Sequence, residues 1–358
     1  MTRAQVIASE QRKYRDPATE FELTRLTDPS LSSCYLPAPP RRAVNQGNNS
    51  LLYCSDRSGK LQAYRMDLKT GESRQLTNAL ALDPSTVSML RDDRNVCFCD
   101  GQSVHIAGGR SRTIYSPDEG WVRAEAFVVA DDGNHAVISE RKDNLYRLRL
   151  VTLAKRSATT IAESNVPVAM VATRPKRAGV LYRREDGLWL VGYDGAQNRK
   201  LRTGQGTIGP ALWSADGRSV YYMHQPPGSR TQELRQCIPD SNEDKFVAPT
   251  SQFVAFTRNS DASVFIGVSG SKASPYILLL LRQARRELAV AEHRASNASA
   301  VAVQFSPDSQ RLFYQTDREG KSAIYAMDLE RFVEMTEASN AVYWTQPATG
   351  PDAARAAD

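Results

Sequence analysis

The side chains best suited to chemistry are few in this sequence, and they are scattered. Four histidines, His105, His135, His224 and His293, show no i, i+2 or i, i+4 pairing, so no two are set to share a metal from one face of a strand or helix. His224 is expected at a strand end and His293 near a loop, in structural or exposed roles. Five cysteines (Cys34, Cys54, Cys97, Cys99 and Cys237) make an odd number without metal-site spacing. Cys97 and Cys99 fall on one face of a strand and read as buried thiols. Gly204-Gln-Gly-Thr-Ile-Gly209 matches the dinucleotide fingerprint. That motif works by opening a helix whose amides meet a pyrophosphate, and here the flanking segments read as strands. There is no G-x-S-x-G nucleophile elbow. Nucleotide binding and serine hydrolysis are therefore set aside.

Any site must instead be assembled by the elements, and these repeat. A tight polar turn followed by an apolar strand recurs near Gly47, Asp92, Asp132, Lys176, Asp216, Asp261 and Asp308. The spacing of about 40–47 residues, filled with short strands, is the signature of a β-propeller blade. Ser55-Asp-Arg-Ser-Gly-Lys-Leu-Gln-Ala-Tyr-Arg-Met-Asp-Leu68 matches Thr316-Asp-Arg-Glu-Gly-Lys-Ser-Ala-Ile-Tyr-Ala-Met-Asp-Leu329 at eight of fourteen positions. Glu72-Ser-Arg-Gln-Leu-Thr77 reads as an outer strand, and Phe21-Glu-Leu-Thr-Arg-Leu-Thr27 has the same ending with no blade before it. The last blade, ending near Leu329, lacks such a strand. The expected fold is all-β: a seven-bladed β-propeller whose ring is closed when residues 21–27 complete the last blade and cover its edge. Residues 21–329 form one domain in this reading. Residues 1–20 are a charged N-terminal segment, of which 1–15 pack beside the ring. Residues 330–358 are a tail, with a short helix over 330–340 and disorder from 347 onward.

Composition narrows the function classes. Hydrophobic residues are 41% and charged residues 24%, ordinary for a soluble globular protein. The net charge of +6 from 46 basic and 40 acidic residues is small for a nucleic-acid binder, and no run interleaves basic and aromatic residues in a recognisable module. The polar first twenty residues do not suit a signal peptide. The aliphatic run at 276–281 is too short to span a bilayer. No nucleic-acid or membrane partner is expected, and the unpaired thiols suit a cytoplasmic location.

The ordered motifs bring a family into view. Residues 23–27 (Leu-Thr-Arg-Leu-Thr), Leu51-Leu-Tyr53, Asp67-Leu-Lys-Thr-Gly71 with Gln75-Leu-Thr77, Gly120-Trp-Val122, and Phe305-Ser-Pro-Asp308 with the later Thr316-Asp and Gly320-Lys together resemble oligogalacturonate lyases. The resemblance spans roughly residues 16–329. It implies a seven-bladed propeller that cleaves short pectin fragments by β-elimination with a divalent metal, usually manganese. That reaction needs a Lewis acid on the uronate carboxylate and a base for the C5 proton.

The same resemblance exposes departures. The family's two histidines before the last blade fall on Ala300 and Ala302, and its glutamine on Asn297. Strand alternation would send positions 300 and 302 to one side, towards the axis. A further metal histidine falls near Ala255, another pocket histidine on Pro210, and the catalytic arginine on Gly187. Arg183 or Arg184 is a neighbouring substitute for that arginine, but a one-residue register change sends a side chain to the other face. Methyl groups cannot coordinate a cation. The expectation is that the family manganese site is not retained and that no cofactor is bound.

By position, the residues that begin each inner strand should gather at the axial mouth. Tyr35, Arg41, Trp121, Arg123, Glu125, Gln252 and Asn297 are the candidate lining residues. Arg41 and Arg123 suit a carboxylate and Trp121 a sugar face, while the competing reading of each is a solvated rim side chain. Three functions follow: a binder of an acidic oligosaccharide or uronate, an enzyme with a metal-free or displaced site, or a scaffold whose wide face binds a protein partner.

Overall fold

Each of the seven turns marked by the repeat places one residue in the left-handed region: Asn48, Asp93, Gly133, Lys176, Gly217, Ala262 and Ser309, with φ between 55° and 72°. Aspartates support five of these turns. Asp92, Asp132, Asp216, Asp261 and Asp308 each accept a hydrogen bond from the backbone N–H two residues on, an Asx-turn that fixes the reversal locally. Gly217 is required for a second reason: a Cβ there would lie 2.1 Å from the Pro175 carbonyl oxygen.

These turns join the inner strand of each blade to the next strand outward. The computed structural model, which describes residues 6–108 and 110–329, contains seven antiparallel sheets. The inner strands are Cys34–Tyr35, Ser88–Met89, Val122–Val129, Met170–Thr173, Thr207–Trp213, Phe253–Arg258 and Val303–Phe305. Seven apolar clusters among the described residues each bridge two neighbouring blades, such as Phe127 and Ile138 with Cys97 and Ile114, or Tyr182 and Val191 with Val128 and Val137. Both faces of each sheet are therefore buried, which is why the strands read as apolar runs. Cys97 and Cys99 lie inside one of these clusters as free thiols; burial raises both, Cys99 to about 12.

The ring closes as the strand endings imply. Glu22–Arg25 pairs with Ala323–Asp328, Thr24 opposite Ala326 and Arg25 opposite Tyr325. Thr27 adds a hydroxyl acceptor for the Ile324 amide. The segment before it does more than pack beside the ring. Arg12–Arg15 adds a fifth strand outside Glu22–Arg25, and Val6–Ile7 adds a fifth strand to the first blade. Asp16, fully buried, accepts from Arg318 Nη1 at 2.8 Å and ties this segment to the last blade. The helix expected over 330–340 and the tail from 347 lie outside the described residues. No helix among the described residues is long and apolar enough to cross a membrane.

Candidate functional site

The inner strands run side by side around the axis, and irregularities in three of them shape its wall. The pairing register shifts between Arg123 and Phe127, between Ile208 and Ala211, and between Phe253 and Ala255. Such bulges bend a strand and re-aim its side chains. Between them lies an axial cavity of about 260 Å³, walled by Ala169, Met170, Arg183, Pro210, Ala255 and Ala302 together with Pro39 and Pro40. Among its described lining residues Arg183 alone is ionisable. Arg183 stands opposite Met170 in the sheet and donates from Nη1 to the Gly209 carbonyl at 3.2 Å.

Two pockets adjoin this cavity at the end where inner strands begin. One, of about 560 Å³, shares Ala169 and Arg183 and adds Arg184, Glu185, Asp186, Gly187 and Thr207. The other, of about 310 Å³, shares Val301 and is polar, with Tyr35, Asn297, Gln315, Asp317 and Lys321 on its wall. A sugar acid suits such a surface: hydroxyl and amide groups for ring oxygens, with a cation at either side for carboxylate.

The register difference between the two arginines settles which of them faces the axis. Arg183 does, whereas Arg184 turns aside, its guanidinium 4.4 Å from the Trp189 ring centre and 3.5 Å from Asp186. Alternation does not govern positions 300 and 302, because Ala298–Ala300 is a 3-10 turn and not strand. Ala302 lines the axial cavity and Ala300 the polar pocket beside it.

The seven candidate residues part company. Tyr35 and Asn297 come together in the 310 Å³ pocket. The Asn297 side-chain oxygen also accepts from the Ser299 amide at 3.0 Å, capping the turn. Arg123 is clamped: Nη2 donates to Asp83 at 2.8 Å and Nε to the Gly101 carbonyl at 3.2 Å. Burial alone would raise the Asp83 carboxyl, but hydrogen bonds from Ser85 and the Arg123 charge hold it below the usual range. Trp121 carries the Arg147 guanidinium 3.8 Å from its ring centre, so one stacking face is taken. Arg147 also pairs with buried Glu140 at 2.7 Å, and Glu140 accepts from Tyr115, whose hydroxyl is pushed up to about 12 by burial and that carboxylate. Glu125 and Gln252 are exposed and line none of these cavities. Arg41 sits at the opposite end of the channel, where inner strands finish. The reason is local: residues 38–42 are not a strand but a proline-bearing segment whose Pro39 and Pro40 line both cavities.

Two of the histidines are held in structural roles. His224 bonds Glu233 at 2.9 Å and the Gln205 carbonyl at 2.8 Å. His293 lies between the Ser269 carbonyl and the Ala295 amide, and burial lowers its pKa. Among the described residues no group of three His, Cys, Asp or Glu side chains is placed to hold a metal ion. Arg183 was the residue hardest to find by sequence, since its signal was register and not type.

No family model matches the chain. It is 21% identical over 372 residues to the oligogalacturonide lyase of Pectobacterium atrosepticum, covering 87% of this chain and 94% of that one. It is 20% identical over 373 residues to the oligogalacturonate lyase of Dickeya dadantii, with the same coverage. Its fold superposes on an oligogalacturonate lyase in complex with manganese with a TM-score of 0.87, at 21% identity, over 93% of this chain and 100% of the other. The chain is thus a distant sequence relative of the oligogalacturonate lyases, and it has their seven-bladed propeller fold.

Proposed function

We propose that this protein binds an acidic oligosaccharide or uronate in its axial cavity without manganese-dependent β-elimination. The observation that carries the reading is the cavity wall. Pro210, Ala255 and Ala302, three positions where the resemblance aligns family histidines, share one cavity and offer no donor atom. This donor set does not fit manganese, which takes oxygen and imidazole ligands. Elimination beside a carboxylate also needs both charge stabilisation and a base. Arg183, as the one ionisable group of that wall, serves one of these roles at a time. Holding a carboxylate is the role its fixed charge suits best.

The polar pocket at Tyr35 and Asn297 supports a saccharide over a bare anion, because it sets hydrogen-bonding groups next to the charged site. A metal-free enzyme is the second reading. The observation favouring it is the adjoining 560 Å³ pocket, where Glu185 and Asp186 lie within the same wall as Arg183 and Arg184. A scaffold role has less support, since the exposed large apolar residues among the described ones, Val6, Leu31, Leu80, Val122 and Phe246, belong to five separate segments.

Digalacturonate turnover, read as ultraviolet absorbance of the unsaturated product with manganese and again with chelator, tests the reading. No product in either condition, with thermal stabilisation by the ligand, is the expected result. Product that chelator abolishes would sink the proposal, and product indifferent to chelator would promote the second reading.

A further inference from the structure

The far end of the channel holds an arrangement that uronate binding at the axial cavity does not use. A second cavity, of about 250 Å³, opens where the inner strands finish and is lined by Arg41, Arg42, Arg258 and Asp131, with Gln304. Pro39 and Pro40 belong to the walls of both cavities, so residues 38–41 separate them. Gln304 fixes this partition from both sides: its Nε2 donates to the Arg41 carbonyl at 2.8 Å and its Oε1 accepts from the Ala43 amide at 3.1 Å.

The charges of this cavity do not cancel. Arg42 is neutralised by Asp93 at 2.5 Å. Arg258 is held only by carbonyls, Nε on Trp213 at 2.7 Å and Nη1 on Asn259 at 2.8 Å and Ser260 at 3.4 Å. Arg41 reaches the Phe127 carbonyl at 3.3 Å from Nη2 and the Ala38 carbonyl at 3.5 Å from Nη1, and its buried Nε has no partner. Neither arginine forms an ion pair with a described residue. Burial lowers the pKa of both, and it raises that of Asp131. Arg258 lies within electrostatic range of Asp131, Asp216 and Asp261, and Arg41 within range of Asp83, but neither guanidinium contacts a carboxylate among the described residues. Carbonyls fix a guanidinium in place but leave its charge uncompensated, and a buried charge is costly until a counter-charge arrives.

We propose that this second mouth is a site for a small oxyanion, a carboxylate- or phosphate-bearing molecule held by Arg258 and Arg41. The fixed forks of the two arginines match the planar or tetrahedral oxygens of such a group. The volume admits one sugar acid or phosphate, not a chain. Asp131 is the neighbour that opposes the ligand, so it sets the affinity from the other direction.

The test is calorimetric titration of the full-length Arg183→Gln protein, in which the axial cavity is disabled, with inorganic phosphate and separately with galacturonate. Saturable binding of either is expected, and which of them binds identifies the ligand class. Asp131→Asn, a conservative change, should tighten that binding about threefold or more, and Arg258→Gln should weaken it at least tenfold. Absence of saturable binding of both anions at millimolar concentration overturns the proposal. So does binding that neither substitution changes, which would place the anion elsewhere. Loss of binding in Arg183→Gln alone, relative to the unmodified protein, would speak against this site while leaving the axial one intact.

Discussion

At the scale of single residues, the account separates arginines that hold the fold from arginines that meet a ligand. Arg183→Gln should lower galacturonate affinity at least tenfold, since a charge-assisted hydrogen bond is worth about 1.5–3 kcal/mol, and should leave the melting temperature nearly unchanged. Calorimetry beside a thermal melt checks both halves. Arg123→Gln should do the reverse. It breaks the clamp to Asp83, with a stability loss of about 1 kcal/mol for a partly exposed pair and unaltered galacturonate affinity. Residue type was legible in the sequence for both, but role was not. Arg123 begins an inner strand, as expected, yet its guanidinium is already bound to the neighbouring blade. Arg183 lies on the second strand of its blade, and only the pairing with Met170 shows which way it points. Arg41 lines the cavity at the far end of the channel, because residues 38–42 do not continue the inner strand.

At the scale of elements, the closing strand is the part on which the ring depends. Removing residues 1–27 should strip two strands from the last blade and one from the first, exposing edges that template association. Size-exclusion chromatography should then show aggregation, and a monomer of native stability would contradict the assigned closure. The Asp16–Arg318 pair gives the same seam a pH dependence. Burial alone would raise the Asp16 carboxyl, but the Arg318 hydrogen bond and the Ala18, Thr19 and Glu292 amides outweigh it and hold the pKa below the usual range. A carboxylate with a depressed pKa adds stability that is complete above the ordinary value of about 4 and is lost as pH falls through the folded value. Unfolding of the wild type should therefore steepen below about pH 4. Asp16→Ala should remove that dependence and cost about 3–5 kcal/mol at neutral pH, the usual penalty for breaking a buried pair. The closing strand was legible because residues 21–27 repeat the ending of the first blade. The fifth strands were not, because Arg12–Arg15 is polar and Val6–Ile7 is only two residues long. Nor were the three inner-strand bulges, which leave no mark in an alternation pattern.

At the scale of the whole molecule, the repeat made the architecture readable and its centre obscure. Spacing of turns, the aspartates that form them and apolar strands buried on both faces all point to one ring. The axial wall, by contrast, is made of alanine, proline, valine and other apolar residues beside one arginine. Such residues announce no chemistry in a sequence, and their meaning comes from sharing a cavity that only the closed ring creates. The net charge of +6 favours acidic ligands at long range without naming one. The central claim is that this propeller holds a uronate and does not cleave it with manganese. Calorimetric injection of digalacturonate, with manganese present and again with chelator, tests it in one instrument. The account predicts a saturable binding heat that is the same in both conditions and decays to baseline. A sustained heat of turnover that appears with manganese and vanishes with chelator would contradict it.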